Sequence, residues 1–340
     1  MKKNLTLLFI LILLTAAAGV VWWIQGDTTR SAGVVLNDFS IEDTSTVTRI
    51  VISATDGKAV DLNRKKGEYL WTLNGKYKAR KDATDLLLKT FKRISVKSHV
   101  PKAGIENTIR MIAGNGYRVD IYTEEGIAKS YLIGTCTQDH FGTYMVLEHA
   151  DGTRSAEPLI MHMEGFTGCL RQRFFTDESD WRFTGVFNYE NLDISRIDLI
   201  NHQSPLSSFT IRYQGENNIN LYPYDTPDKF PFFDTLAVKD YMLLFKKIHL
   251  ETYNNHLTET ARDSLLQSTP AYTVKVTDNQ GTSRQIDLYW KKPIMRQLDD
   301  NGQIMPWDGD RMFGKVGDEV VLVQRYTFDP ILRDIRSFLH

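Results

Sequence analysis

The chain has 340 residues, a formal net charge of −1 and 42% hydrophobic residues. This length suits about two domains of typical size, and such an apolar fraction with a near-zero charge excludes a largely disordered chain. Nucleic-acid-binding proteins carry an excess of Lys and Arg, whereas here 41 basic residues accompany 42 acidic ones. We therefore expect no nucleic-acid partner.

The first predicted element is a transmembrane helix in residues 1–24. Two lysines precede an uncharged, mostly apolar run at residues 5–24, and about 20 such residues span the hydrocarbon core of a bilayer. The basic end predicts a single-pass cell-membrane anchor with a cytoplasmic N-terminus and an extracytoplasmic (periplasmic) body. A signal peptide cleaved near residues 16–18 is the alternative. Both interpretations export the body, and residues 25–33 are predicted to be its tether.

Residues 34–178 are predicted to form an α+β unit with a mainly antiparallel sheet. Its predicted elements are, in chain order, strands at 47–53 and 69–73, a long helix at 82–94, a hairpin turning at 124–126, a strand at 144–147 and a short closing helix. Ala83, Leu87 and Phe91 recur at helical spacing, which places them on one buried face of the long helix.

Residues 185–340 repeat this order of elements, which predicts a second, homologous unit. The repeated phrases are, in chain order, VTRIVIS and ISRIDLI, TFKRISV and LFKKIHL, YRVDIYTEEG and YTVKVTDNQG, and LIMHMEGFTGCLR and VLVQRYTFDPILR. Their order is constant while the spacing between the copies drifts, as loop insertions into a duplicated unit would produce. We therefore predict two tandem α+β repeats, each with one long and one short helix, behind the N-terminal membrane helix.

Side chains with reactive or metal-ligating chemistry are few and scattered. Cys136 and His140 lie close in sequence, but no second cluster completes a nucleophilic or metal site. The sequence leaves open whether Cys136 and Cys169 form a disulfide or Cys169 is an apolar core residue. Four aspartates within residues 299–310 lack the spacing of the helix-loop-helix calcium motif. We predict no catalytic residue, no metal site and no cofactor, which favours a non-enzymatic role.

The aromatic cluster in the phrase KFPFFD is the candidate ligand or partner surface. Phe230, Phe232 and Phe233 directly precede the predicted long helix of the second unit. If they are exposed, they form a platform for a partner protein or a sugar. If they are buried, they pack into the core at the start of that helix. The sequence leaves both interpretations open.

The order of these features gives the chain a resemblance to a known family. The motifs that carry it are an R-I-x-[IL] strand, a W-x-L strand at Trp71 and Leu73, a helix approach at Ala79 and Ala83, and a Y-x-[LI]-G hairpin end at residues 131–134. In these motifs the chain resembles an uncharacterised bacterial family, a domain of unknown function often present in two copies behind one membrane helix. Its members are often associated with gliding-motility-type ABC transporter components. The second copy departs from the pattern, because Trp71 and Gly134 have no counterparts in it.

These features predict a membrane-anchored, extracytoplasmic binding or accessory module of an envelope complex. Its expected partners are the membrane, through the N-terminal helix, and envelope proteins; the resemblance implies an ABC transporter among them. The alternative is an envelope hydrolase or carbohydrate-active enzyme with its site between the repeats. Such an enzyme would need acidic or histidine side chains around one deep pocket, with carboxyl groups of raised pKa.

Overall fold

The computed structural model describes residues 39–148, 154–155, 157–215 and 218–339. These residues form an α+β structure in which paired strands run antiparallel and helices are few. The chain divides into two compact units between Phe183 and Thr184. The predicted anchor at residues 1–24 and tether at 25–33 lie outside the described residues, and none of the helices described is long and apolar enough to cross a bilayer.

The first unit contains a nine-stranded sheet in the order β4-β3-β2-β1-β6-β7-β8-β9-β5. Its strands are β1 (Arg49–Ala54), β2 (Ala59–Asn63), β3 (Thr72–Leu73), β4 (Tyr77–Lys78), β5 (Ile94–His99), β6 (Tyr117–Thr123), β7 (Gly126–Cys136), β8 (Thr143–Glu148) and β9 (Leu159–Met163). Its described α-helices are α1 (Lys81–Arg93), α2 (Ile105–Asn115) and α3 (Glu178–Trp181).

The two faces of this sheet differ because successive side chains along a strand point to opposite sides. On the core face, Ile50 and Ile52 of β1 are fully buried and belong to one cluster with Leu87 and Phe91 of α1. Trp181 of α3 joins the same cluster. Helix α1 therefore covers the core face, and its apolar side is the one that the sequence spacing predicts.

The opposite face of the sheet, here called the outer face, is partly covered by helix α2. Ile112 of α2 is buried, and a Cβ atom added at Gly134 of β7 would lie only 2.7 Å from Ile112 Cγ1. Gly116, directly after the helix, is equally confined, because a Cβ there would lie 2.2 Å from the carbonyl oxygen of Ile112. Glycine at position 134 allows α2 to pack close to β7, and glycine at position 116 allows the chain to pass directly from α2 into β6.

The second unit contains a seven-stranded sheet in the order β13-β12-β11-β15-β16-β17-β18 and a separate pair, β10-β14. Its strands are β10 (Gly185–Phe187), β11 (Arg196–Asn201), β12 (Phe209–Tyr213), β13 (Ile219–Pro223), β14 (Ile248–His249), β15 (Tyr272–Thr277), β16 (Ser283–Trp290), β17 (Arg311–Val316) and β18 (Glu319–Gln324). Its described α-helices are α4 (Thr235–Leu243), α5 (Glu259–Gln267) and α6 (Arg325–Phe328).

Helices lie on both faces of this second sheet as well. Tyr241 of α4 and Phe245, just after it, are fully buried in the main cluster of the unit. On the outer face, Leu265 and Leu266 of α5 pack against a smaller cluster that includes Phe313 of β17. The second unit is thus also a sheet between two helical layers.

The structure corrects two of the sequence predictions. Each unit has a second substantial helix on its outer face, α2 or α5, so the prediction of one long and one short helix per unit was wrong. Helix α5 has no buried residue, which explains why its weak apolar pattern gave no signal. The predicted strand at residues 69–73 shortens to β3, because Tyr69 and Leu70 are exposed and lie outside the sheet.

Candidate ligand cavities

The three phenylalanines predicted as a partner surface differ in exposure. Phe232 is 83% exposed, whereas Phe230 and Phe233 are half-buried and pack against the core of the second unit. The side chain of Asp234 accepts hydrogen bonds from two backbone N–H groups of α4, which fixes this segment at the N-terminus of the helix. The surface offered to solvent here is Phe232 together with Leu236, which is 66% exposed.

A cavity of about 600 Å³ lies on the outer face of the first unit, within the usual size range of ligand pockets. Strands β6, β7 and β8 form its floor, and its sides are formed by helix α2, the end of β1 and residues 154–155 and 157–158. Its apolar lining consists mainly of Ile109, Ile112, Ala113, Leu132, Val146 and Pro158. Arg118 and Arg154 are the cations of the lining, so the cavity combines an apolar body with charged groups.

These two arginines share one carboxylate. Glu148 Oε1 accepts a hydrogen bond from Arg118 Nη2 at 2.7 Å, and Glu148 Oε2 accepts one from Arg154 Nε at 2.8 Å. Arg118 Nε also donates to Asp120 at 3.1 Å. The hydrogen bond from Arg118 holds the pKa of the Glu148 carboxyl below its usual value, although burial opposes this, and Arg154 lowers it further. The same hydrogen bond raises the pKa of Arg118, so Glu148 and Arg118 are both charged at neutral pH.

The outer face of the second unit also has a cavity, but its lining is polar. This cavity has a volume of about 480 Å³ and is lined in part by Arg196, Asp198, Thr273 and Lys275. Arg196 Nε donates to both carboxylate oxygens of Asp198, at 2.9 and 2.8 Å. This hydrogen bonding raises the pKa of Arg196. Thr210 Oγ1 donates to the same carboxylate at 2.6 Å, so Asp198 is held by partners from two strands.

The structure resolves the alternatives for the two cysteines. Cys136 and Cys169 form a disulfide with 5.5 Å between their Cα atoms. The bond ties the end of β7 to the 3-10 turn Leu170–Arg173. Cys136 therefore has no free thiol, which excludes a Cys136–His140 nucleophilic pair.

Two of the four aspartates within residues 299–310, Asp299 and Asp308, have structural partners. Asp308 Oδ2 lies 2.6 Å from Lys291 Nζ, and both side chains are buried. Burial alone would raise the pKa of Asp308, but the Lys291 ammonium and two backbone N–H groups lower it below its usual value. Asp299 accepts hydrogen bonds from two backbone N–H groups of its own turn. Across the described part of the chain, no group of three or more His, Cys, Asp or Glu side chains is placed to hold a metal ion.

Neither cavity was predicted from the sequence, although the alternation of charged and apolar residues in their strands was visible in it. Arg118 and Asp120 alternate with Val119 along β6, and Arg196 and Asp198 flank an apolar residue of β11 in the same way. Such alternation predicts strands with one solvent-facing side. The cavity of the first unit also requires helix α2 on that side, and this helix was not predicted.

Glu148 is the carboxylate that accepts hydrogen bonds from both arginines of the first unit's cavity. A general acid that works near neutral pH needs a carboxyl group of raised pKa, whereas Glu148 has a lowered one. No protein-family model matches this chain, and no curated protein matches it either. The resemblance to the bacterial family with gliding-motility-type transporter components therefore stays a prediction.

Proposed function

We propose that this protein is a membrane-anchored, extracytoplasmic binding or accessory module of an envelope complex and that it is not an enzyme. The observation that carries this proposal is the cavity of about 600 Å³ in the first unit. It has apolar walls, and the carboxylate between its two arginines, Glu148, is kept ionised by them. The alternative, an envelope hydrolase or carbohydrate-active enzyme, is less well supported because it calls for a carboxyl group of raised pKa beside the site.

The disulfide supports the extracytoplasmic location. Disulfides persist in oxidising compartments and are rare in the reducing cytosol. Cys136 and Cys169 are the two cysteines of the chain, and they are paired with each other. Together with the apolar run at residues 5–24, this pairing favours a body that is exported and held at the membrane.

We also propose that the two units are copies of one duplicated fold. Residues matched in the repeated phrases occupy matched places in the two sheets. Arg49 of β1 pairs with Tyr122 of β6, and its match Arg196 of β11 pairs with Thr277 of β15, the residue that the phrases align with Tyr122.

The same agreement holds on the far side of each sheet. From Tyr117 in the first sheet, cross-strand pairing leads through Ile133 and Met145 to Leu159. From its aligned residue Tyr272 in the second sheet, pairing leads through Leu288 and Gly314 to Val321, the residue aligned with Leu159. Register is set independently at each strand pair, so agreement at both places supports duplication.

Phe232 and Leu236 are our proposed partner surface, and the resemblance makes an ABC transporter component the proposed class of partner. A photoreactive benzoylphenylalanine placed at Phe232 in the full-length protein, in membranes of its own host, tests this. We expect a cross-linked product with an envelope membrane protein. The matched control is the same residue at Tyr326, which is 91% exposed in the same unit and should give no such product.

Fractionation of the same membranes tests the location. We expect the protein to resist extraction by alkaline carbonate and the disulfide to be present before lysis, as measured by thiol alkylation. A protein that is recovered in the cytosol with two free thiols would refute the extracytoplasmic assignment. Equal cross-linking from positions 232 and 326 would refute the proposed surface.

A further inference from the structure

The apolar wall of the first unit's cavity is partly open to solvent. Ile109 of α2 is 49% exposed and lines the cavity, one helical turn from the buried Ile112. Leu132 of β7 and Val146 of β8 pair with each other on the floor. Covering apolar surface is favourable by about 25 cal/mol per Å², so an apolar ligand would be stabilised here.

The floor of the cavity is the face of a sheet and not its edge. Strand β7 pairs with β6 on one side and β8 on the other, so the backbone N–H and C=O groups under the cavity are already paired. A peptide laid on this surface would leave its own backbone groups without ladder partners. A hydrocarbon chain has no such requirement and fits the floor better than a peptide does.

The charged end of the cavity has two guanidinium groups, of Arg118 and Arg154, close to the carboxylates of Glu148 and Glu157. Glu148 holds the guanidinium groups of Arg118 and Arg154 in place. A guanidinium has five N–H donors, and the described hydrogen bonds of Arg154 use its Nε alone. Carboxylates and phosphates match the remaining donors in charge and geometry.

We propose that this cavity binds an amphipathic ligand, with one apolar chain over Leu132 and Val146 and an anionic head group at Arg118 and Arg154. This inference rests on the proposed role as an envelope binding module and names the ligand class of its cavity. A free fatty acid and an anionic membrane phospholipid share this chemistry, and the test separates them.

The test uses full-length protein in phospholipid nanodiscs with three photoactivatable probes: palmitic acid, its methyl ester and phosphatidylglycerol. We expect palmitic acid or phosphatidylglycerol to label peptides that contain Ile109 or Val146, and the stronger of the two identifies the source. Ala113→Trp fills the cavity mouth and should lower labelling about tenfold, which corresponds to about 1.4 kcal/mol. Ala128→Trp is the matched control, because Ala128 is also exposed but does not line the cavity; it should retain full labelling.

Arg154→Gln tests the head group. It should lower labelling by the anionic probe about fivefold and leave labelling by the methyl ester unchanged, because only the anion uses the guanidinium.

Equal labelling of the native protein and Ala113→Trp, or no labelling at all, would overturn the cavity assignment. Equal loss of acid and ester labelling in Arg154→Gln would overturn the anionic head group. The membrane fractionation and the cross-link from position 232 do not depend on these results, so the ligand assignment fails separately from the proposed function.

Discussion

The two units agree on their core faces and differ on their outer faces. Phe91 and Phe245 are both fully buried, and their carbonyl oxygens accept equivalent hydrogen bonds, from Ile41 N–H at 2.9 Å and Tyr189 N–H at 3.2 Å. The outer faces carry an apolar cavity in one unit and a polar cavity in the other. Close packing restricts which side chains can replace those of a core face. The outer faces are less restricted, so their side chains can differ in chemistry. Any difference in function between the units should therefore reside on their outer faces.

The largest expected effect tests the agreement of the cores. Phe91→Ala and Phe245→Ala should each cost about 3–5 kcal/mol, because each removes a fully buried aromatic ring. Urea unfolding followed by hydrogen exchange will assign each loss to its own unit. Lys92→Ala and Lys246→Ala are the neighbouring controls; both lysines are exposed, so each change should stay within about 0.5 kcal/mol. If either Phe→Ala variant kept the free energy of unfolding of the native protein, the two cores would not be equivalent.

The connections between equivalent strands provide a second contrast. The β7–β8 connection is short and lies beside the Cys136–Cys169 disulfide, whereas the β16–β17 connection is longer and contains the buried Lys291–Asp308 pair. Replacing both cysteines with serine should destabilise the first unit by about 2–4 kcal/mol.

The second unit serves as the internal control for this change, because it contains no cysteine. Hydrogen-exchange mass spectrometry should show faster exchange in the first unit and unchanged protection in the second. Equal loss of protection in both units would show that the disulfide is not a local constraint of the β7–β8 connection.

The features of the core faces could be predicted from the sequence better than those of the outer faces. Ala83, Leu87 and Phe91 lie at helical spacing, and the buried side of α1 is the predicted one, because burial on one face leaves a periodic pattern. The apolar residues of helix α5 that pack on the sheet are Leu265 and Leu266, and two adjacent apolar residues make no period. The pairing of Cys136 with Cys169 depends on a distance between two distant segments, which spacing along the chain does not contain. Core faces are therefore readable from sequence, and outer faces are not.

The charged cluster on the first outer face should make stability depend on pH. The pKa of Glu148 is lowered in the folded protein, so its ion pairs stabilise the fold above the unfolded-state pKa of about 4.3, and this contribution is lost as pH falls through the lower folded value. Glu148→Gln should cost about 1–3 kcal/mol at pH 7, because it leaves two arginines without their shared carboxylate.

The measurement is urea unfolding of native and Glu148→Gln proteins between pH 7 and pH 3. The difference between them should shrink as the solution becomes more acidic. Arg212→Gln is a suitable control, since Arg212 lies over the ring of Tyr222 on the second unit and is remote in sequence from this cluster. A difference that stays constant with pH would mean that Glu148 acts through packing and not through its charge.

The smallest effect on stability is expected at the proposed partner surface. Phe232→Ala should change the free energy of unfolding by less than about 0.5 kcal/mol, because its side chain is mostly in solvent. Phe233→Ala removes a half-buried ring that packs on the core, so it should lower the free energy of unfolding by about 1–2 kcal/mol. Thermal unfolding of both variants checks this ranking. Partner cross-linking from a nearby photoreactive position should show the reverse order, with Phe232→Ala the more damaging change. Because the two phenylalanines are adjacent in sequence and identical in chemistry, such an inversion would separate the residue that binds from the residue that supports it.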